Sequence, residues 1–393
     1  MNLEDRRVAL RLWLDIAVTA VDPEALTADA LADFEEDPTV IIAIGKAAAA
    51  MCRGASRALS SVSGVCVTNA PGRVPDGIEL LIGDHPIPGD ASFEAGKRVL
   101  EVARSASGRC VALISGGGSA LCEQPLPGID RSYLQEVNTL LLYGGASIEE
   151  TNLVRRHLSA IKCGGIARAV SGLLETYLVS DVGGAVPGVV ASGPTIPMSA
   201  DPKAAKGLMR RFGVPIPDAV WDAMNQRLPD APPSASVTVL ADGRVAAEAV
   251  ADAAREDDIQ SRVSEGWIVG PIETALDHFF AESGSGVTIA SGEPTVDVRG
   301  EGTGGRNSHA ALLAAARLKG HEGLFASLAT DGIDGRSGSA GAIVDGTTID
   351  RGGDPEDSLA NFDSASYLDG TGDLIRTGPT GTNVADLWLL WRS

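Results

Sequence analysis

Residues 40–49 read VIIAIGKAAA, and the architecture follows from them. Val40 to Ile44 is a β-branched run with no polar face, the pattern of a strand covered on both sides in a parallel sheet. Gly45-Lys46 breaks the run, and AAAAMCRGA at 47–55 continues with helix-forming residues. The same strand–turn–helix order recurs at CVALI (110–114), followed by SGGGSALC, and at TYLVSD (176–181), followed by VGG. Strands alternating with helical stretches predict βαβ units, a parallel sheet and helices on both of its faces.

Upstream, Leu3 to Val21 repeats Ala9, Leu12, Trp13, Ile16 and Ala20 at helical spacing and predicts an amphipathic helix. Downstream, residues 197–236 are rich in Pro, Ala and Asp, with a helix expected over 203–212. The proline-rich end of that region (Pro229, Pro232, Pro233) marks a domain boundary, giving domains 1–236 and 237–393. Beyond it, VTVL, SGVTIASG, PTVDVRG, FASLATDG and AGAIVDG alternate with helices expected over 244–255 and 309–318. This is a second α/β unit with a mixed sheet. No internal repeat has a fixed period.

The 393 residues fit two or three domains at roughly 150 residues each. With 44% hydrophobic and 21% charged residues the chain is globular, which excludes wholesale disorder. Its 32 basic and 52 acidic residues give a net charge of −20, which excludes nucleic acid and anionic membrane as partners but leaves room for a local cationic pocket. Five scattered cysteines without CxxC spacing fit neither a disulfide framework nor a structural zinc site and suit a reducing compartment. No apolar stretch is long enough to span a bilayer and MNLEDRRVALRLW lacks a signal-peptide core, so a cytoplasmic protein is expected. Aromatics, at 4%, are too few for a base-stacking platform.

The 47 glycines gather in knots that follow β-like runs. Gly45-Lys46 at a helix start offers backbone N–H groups and a cation to an anion, or is an ordinary turn with an exposed lysine. It is not a GxxxxGK[ST] loop. Ser115, Gly116, Gly117, Gly118 and Ser119 allow close backbone approach to a ligand and add two hydroxyls, or form a plain tight turn. Neither knot fits GxGxxG. In NLVRRHLSAIKCGG (152–165), a helix would bury Val154, Leu158 and Ile161 and align Arg155, Ser159 and Lys162 beside them. That basic stripe is either a binding face or a solvated face paired with Glu149 and Glu150, and Cys163-Gly164-Gly165 reads as the helix C-terminus. Asp181 ends a strand, where open α/β sheets place ligand chemistry.

The C-terminal half holds the densest cluster. SGEPTVDVRGEGTGGRN brings Glu293, a loop with Gly300, Gly302, Gly304 and Gly305, and Arg306-Asn307 at a helix start. TDGIDG places Asp331 and Asp334 in a Gly-rich loop, and RTGPTGTNVADLW offers Thr380 and Asn383 in a loop ahead of an expected helix. One such loop is turn chemistry; several of the form strand, Gly-rich loop, charged or hydroxyl residue point to a ligand site. The histidines (His85, His157, His278, His309, His321) show no metal-binding spacing. No GxSxG elbow is present.

Taken together, IGKAA, LISGGGSAL, NLVRRHLSAIKCGG, LVSDV, ASGPTIP, GEPTVDVRGEGTGGRN, ATDGIDG and TGPTGTNVADL resemble the type II (MOFRL) glycerate 2-kinases, in order, from about residue 3 to residue 390. Two stretches depart from that pattern: Gly184-Ala185-Val186-Pro187 stands where Gly-Asp-Asp is usual, and Ser308-His309 where Gln-Glu is usual. The resemblance implies a Rossmann-like N-terminal domain, a smaller C-terminal α/β domain and an active site in the interdomain cleft. It implies transfer of the ATP γ-phosphoryl group to the 2-hydroxyl of D-glycerate with Mg²⁺ or another divalent cation. The partners it implies are ATP and a small hydroxy acid, with a homodimer as the candidate assembly. Lys46 and Arg306 would clamp the phosphoryl group and the substrate carboxylate. Asp181 and Asp331 would hold the metal or accept the hydroxyl proton. The SGGGS turn, with Gly45 and Arg155, and the Glu293, Asn307, Asp334, Thr380 and Asn383 loops would bind nucleotide or substrate. An NAD(P)-dependent hydroxypyruvate reductase and a non-catalytic binder of small phosphorylated acids are the alternatives.

Overall fold

The computed structural model describes residues 1–34, 39–184, 186–199, 201–225 and 236–392. Ala185 and the boundary prolines 229, 232 and 233 lie outside the described residues. The chain divides into two compact units: Pro23–Ser180 with Ala185–Leu240, and Met1–Asp22 with Asp181–Gly184 and Ala241–Ser393. They are called the N-terminal and C-terminal units below.

Six strands build the N-terminal sheet: β1 (Thr39–Ile44), β2 (Val62–Thr68), β3 (Ile78–Ile82), β4 (Arg109–Ser115), β5 (Leu173–Val179) and β6 (Ser236–Ala241). Their order is β3-β2-β1-β4-β5-β6, and β1 to β5 pair in parallel. Ile42 and Ile44 pack with Val65, Val67, Val99 and Ala103 on one face. Ile41 and Ala43, which point the other way, are equally buried, so the apolar run at 40–44 is apolar because both faces are covered. Strand order reverses between β1 and β4, and at such a switch point ligands bind beyond the carboxyl ends of the two strands. Gly45-Lys46 and the SGGGS turn occupy those two ends.

The second sheet comprises β7 (Ser261–Val263), β8 (Gly286–Gly292), β9 (Gly323–Ala329), β10 (Gly341–Asp345), β11 (Leu374–Ile375) and β12 (Asp386–Arg392). Its order is β11-β10-β9-β12-β8-β7, antiparallel except for the β7–β8 pair, so the sheet is mixed. The helix Arg306–Leu318 lays its alanine-rich face on β9 and β10, and Phe279, Phe325 and Trp388 meet edge to face at 5.8–6.3 Å. Residues of β12 alternate between two buried layers. Trp388 and Leu390 join the Phe279 cluster, while Trp391 stacks on Trp13 at 5.1 Å.

Trp13 belongs to the helix Leu3–Ala20, which therefore packs within the C-terminal unit. Arg7 of this helix reaches the buried carboxylates of Asp345 and Asp373, which Arg351 also engages. The buried stripe of this helix is Ala9, Leu10, Trp13, Leu14 and Ala17, whereas the expected Leu12 and Ile16 are exposed. Two apolar stripes compete on the helix, and the contacts of Trp13 with Trp391 and Asp257 decide between them. PTVDVRG forms no strand. It contributes one isolated bridge, Pro271 to Thr295, because its charged residues leave it no buried face.

Candidate active site

At the switch point, β1 and β4 approach so closely that a side chain at Gly45 would overlap Ser115. Gly45 also has φ +131°, so only glycine fits. The amides of this turn are spent internally. Gly45 N–H donates to Val67 O, Lys46 N–H to Gly116 O and Ala47 N–H to Ser115 Oγ, each at 3.0 Å. The expectation of free N–H groups at Gly45-Lys46 is therefore corrected: the turn contributes the lysine side chain and no amide cradle. That side chain runs over Gly117, whose missing Cβ would sit 3.2 Å from Lys46 Cγ. Lys46 is half-buried and forms no ion pair among the described residues. The amides of Gly117, Gly118 and Ser119 donate to no described acceptor.

A hydroxyl relay leads away from this turn. Ser119 Oγ lies 2.8 Å from Ser192 Oγ, which donates to Asn152 Oδ1 at 2.7 Å. Asn152 stands three residues before Arg155 on the helix Ile148–Arg156, so the two share a face. Arg155 is 8% exposed. Its Nε donates to Asn138 Oδ1 at 2.5 Å, and no hydrogen bond from its two terminal nitrogens is found among the described residues. Burial pulls the Arg155 guanidinium down from its usual range.

The helix expected through 152–165 stops at Arg156, so Ser159 and Lys162 do not align beside Arg155 as one stripe, and the stripe is not a solvated face. Ser159 forms a bridge to Pro125, and Lys162 is fully buried against Glu123 at 2.5 Å. Glu123 also accepts from Ser159 Oγ and from Gln124 N–H, so its charge is fully engaged. Glu150 pairs with Arg211 instead of the stripe. Cys163-Gly164-Gly165 opens a helix: Gly164, at φ +79°, is the N-cap of Gly165–Ala169. Continuing the helix would have carried Lys162 away from the one carboxylate able to offset its burial.

Arg306 is the first residue of its helix in the C-terminal unit. Its Nε donates to Asp386 Oδ2 at 2.7 Å, Nη2 to Asp386 Oδ1 at 3.3 Å and Nη1 to Glu293 at 2.9 Å. Asn307 Nδ2 also donates to Asp386, at 3.0 Å. Burial pushes the Asp386 carboxyl up to about 6 although Arg306 and Asn307 pull it down. Burial opposes the charge of Arg306 too, yet Asp386 and Glu293 raise it overall. Asp334 caps the helix, accepting from Asn307 N–H at 2.7 Å and Ser308 N–H at 2.8 Å, and a Cβ at Gly305 would strike it.

Asp331, half-buried, accepts from Ile333 N–H through its side chain and from Thr380 N–H through its carbonyl. Thr380 Oγ1 ties back to Thr330 O at 2.6 Å, and Asn383 Oδ1 accepts from Ala385 N–H. This loop precedes strand β12 and not the expected helix, because DLWLLW is buried on both faces and carries no alternation to read. Asp181 follows β5 by one residue, and Gly183 beside it lies so close to Trp267 that any Cβ would meet the indole. Among the described residues no group of three or more His, Cys, Asp or Glu side chains is arranged to hold a metal.

Asp386, His85 and Asn152 lie among these candidate residues, and motif reading did not single them out. Asp386 stood inside the quoted TGTNVADL run, but only its pairing with Arg306 distinguishes it. His85 lies in a loop whose Gly83 packs against Leu121, at the end of the short helix that opens the SGGGS turn.

Comparison with known proteins agrees along the whole chain. Residues 286–386 match the MOFRL family, and residues 9–225 match a domain of unknown function, DUF4147. A D-glycerate 2-kinase from Thermotoga maritima is 33% identical, with 94% of each chain covered. The crystal structure of a glycerate kinase from the same organism superposes with a TM-score of 0.90 at 31% identity, covering 99% of this chain and 100% of that one. An Agrobacterium vitis protein with the provisional name hydroxypyruvate reductase is 36% identical, covering 97% of this chain and 93% of its own.

Proposed function

Because this chain belongs to the MOFRL family of glycerate 2-kinases, we propose that it transfers the γ-phosphoryl group of ATP to the 2-hydroxyl of D-glycerate. The products are ADP and 2-phosphoglycerate. The observation that carries this reading is the pair of cations set for anions in an otherwise acidic chain: Lys46, unpaired at the sheet's switch point, and Arg306, its guanidinium held on two sides by carboxylates.

Phosphoryl transfer asks for positioning and positive charge around a loose transition state. The 2-hydroxyl oxygen attacks the γ-phosphorus, the bond to the β,γ-bridging oxygen breaks, and the hydroxyl proton passes to a carboxylate. Lys46 is assigned to the transferring group. Arg306 presents the two N–H groups that Asp386 and Glu293 leave unused, and Asp386 fixes the plane of its fork. Asp181 and Asp331 are the carboxylates for the proton or for a divalent ion. When bound, such an ion neutralises the β- and γ-phosphate oxygens. Asp181 and Asp331 would hold such an ion, and two carboxylates would suit Mg²⁺, which rarely takes an all-protein cage. The amides of Gly117 to Ser119, with Ser115 beside them, and the Thr380–Asn383 loop supply neutral donors.

Among the described residues no helix is long and apolar enough to cross a membrane, and five buried free thiols support a cytoplasmic location. The test is direct. Purified protein incubated with ATP, Mg²⁺ and D-glycerate should release ADP and 2-phosphoglycerate. NADH consumption with hydroxypyruvate, and no ADP, would replace this reading with the reductase.

A further inference from the structure

A guanidinium more than nine-tenths buried normally faces a carboxylate, since an uncompensated buried charge is costly. Arg155 faces none. Its Nε is held by the neutral amide of Asn138, and the nearest acid, Glu123, is already consumed by Lys162, Ser159 and the Gln124 amide. Three more donors lie along the same path: the Asn152 amide nitrogen, which has no described acceptor, the SGGGS amides and the Lys46 ammonium. His85 joins them. It stands two residues after Gly83, which packs against Leu121 at the end of the helix after the SGGGS turn, and desolvation with the charges of Lys46 and Arg155 lowers its pKa. Asp84, its neighbour, accepts from the Ser92 amide.

We propose that Arg155 and Asn152, with His85 beside them, seat the carboxylate and adjacent hydroxyl of a short 2-hydroxy acid next to Lys46, which stays assigned to the transferring phosphoryl group, and that the divalent ion of the nucleotide is held by other residues. The proposal rests on the kinase reading and assigns the acceptor within it. Three features separate an acid seat from a triphosphate seat. With Asn138 fixing Nε, the two terminal nitrogens of Arg155 present the parallel N–H pair that matches a carboxylate. Asn152, with its oxygen already accepting from Ser192, can only donate to the ligand, which suits a carboxylate or hydroxyl oxygen. A nucleotide triphosphate also brings a divalent ion that needs one or two carboxylates. Glu123 is engaged here by Lys162, whereas Asp181 and Asp331, the carboxylates assigned above to the ion, both belong to the C-terminal unit.

Calorimetric titration of the full-length protein tests this, using D-glycerate and, separately, Mg²⁺ with a non-hydrolysable ATP analogue. Arg155→Lys keeps the charge and loses the fork. It should weaken D-glycerate binding about 10²-fold, the scale of losing one or two charge-assisted hydrogen bonds, and leave analogue affinity within about threefold. The wild type should prefer D-glycerate over glyceramide, its uncharged carboxamide, and that preference should collapse in the variant. His85→Glu changes an exposed side chain, so it remains informative if Arg155→Lys fails to fold. It should weaken D-glycerate binding at least about tenfold through repulsion of the carboxylate, again sparing the analogue. Loss of analogue binding with intact D-glycerate binding, or a glycerate-to-glyceramide preference untouched by either substitution, would overturn the assignment. Binding that behaves as expected without ADP release in turnover would leave the acid seat standing and remove the kinase reading. Turnover with variants that bind D-glycerate like the wild type would do the reverse.

Discussion

Replacing Asp386 with Asn separates the stability of the C-terminal unit from the aim of Arg306. Asp386 accepts three donors: Arg306 Nε on one oxygen, and Arg306 Nη2 with Asn307 Nδ2 on the other. An Asn that keeps the second pair of bonds must turn its NH₂ toward Arg306 Nε, so one charge-assisted bond, worth about 1.5–3 kcal/mol, is lost. Against that, a carboxyl raised from 3.8 to about 6 pays for ionisation inside the fold, and two units correspond to about 3 kcal/mol at neutral pH. The two effects nearly cancel, so melting at pH 8 should move little. The sign follows from linkage. A folded-state pKa above the unfolded value makes this group's contribution largest in acid, and it is lost as pH rises through about 6. Activity should behave differently, because a fork misplaced by about 1 Å costs on the order of 10²-fold. Ionisation of ATP affects both enzymes alike, so the informative quantity is the ratio of wild-type to Asp386→Asn kcat, measured by ADP release from pH 5 to 8. It should be about 10² at pH 8 and fall toward 1 as Asp386 protonates below about 6. A ratio independent of pH, or a variant with wild-type kcat, would refute the positioning role.

Lys46→Met keeps the stem over Gly117 and removes the charge; kcat should fall on the order of 10²-fold with an unchanged melting temperature, read by steady-state kinetics and thermal melts. Chelation with EDTA should abolish turnover and added Mg²⁺ restore it, since the proposed function sets Asp181 and Asp331 near a triphosphate and so calls for a cation; full turnover in chelator would remove both from that role. Lys162→Met strands Glu123 in the core and should cost about 3–5 kcal/mol in urea denaturation, with most of it recovered in the Lys162→Met, Glu123→Met double variant; a loss under about 1 kcal/mol would mean the pair is dispensable.

The N-terminal sheet was legible because three strand–turn–helix repeats each end in a glycine knot, and the two knots that flank the switch point hold Lys46 and the SGGGS turn. Local pattern failed where a distant partner chose between equivalent local options. The first helix carries two apolar stripes, and Trp391, hundreds of residues away, selects Leu10, Trp13 and Leu14 over Leu12 and Ile16. Residues 152–165 have helical periodicity, yet the chain leaves the helix at Arg156 so that Lys162 can reach Glu123. Strand β12 has no alternation because both of its faces are buried. Arg306 was visible as a cation at a helix start. Asp386, which aims it, lies 80 residues further on and has no signature of its own.

The strand order β3-β2-β1-β4-β5-β6 is that of dinucleotide-binding folds, and a relative carries a reductase name, so the turn after β1 is where hydride and phosphoryl chemistry part. A dinucleotide turn leaves its first amides free, because those N–H groups and the helix that follows hold the pyrophosphate. Here the amides of Gly45, Lys46 and Ala47 are bound to Val67, Gly116 and Ser115, and Ser115 fills the space beside Gly45 that a pyrophosphate would need. The same contacts leave the half-buried Lys46 side chain as the donor of this turn without a described acceptor, running across Gly117 of the next turn. On the kinase reading, that ammonium and three amides are offered to the negative charge of a transferring phosphoryl group. They offer nothing to hold a nicotinamide ring or to orient a hydride. The strand order is shared with dinucleotide-binding folds, and the bonds that three amides of this turn make to Val67, Gly116 and Ser115 leave none of them for a pyrophosphate.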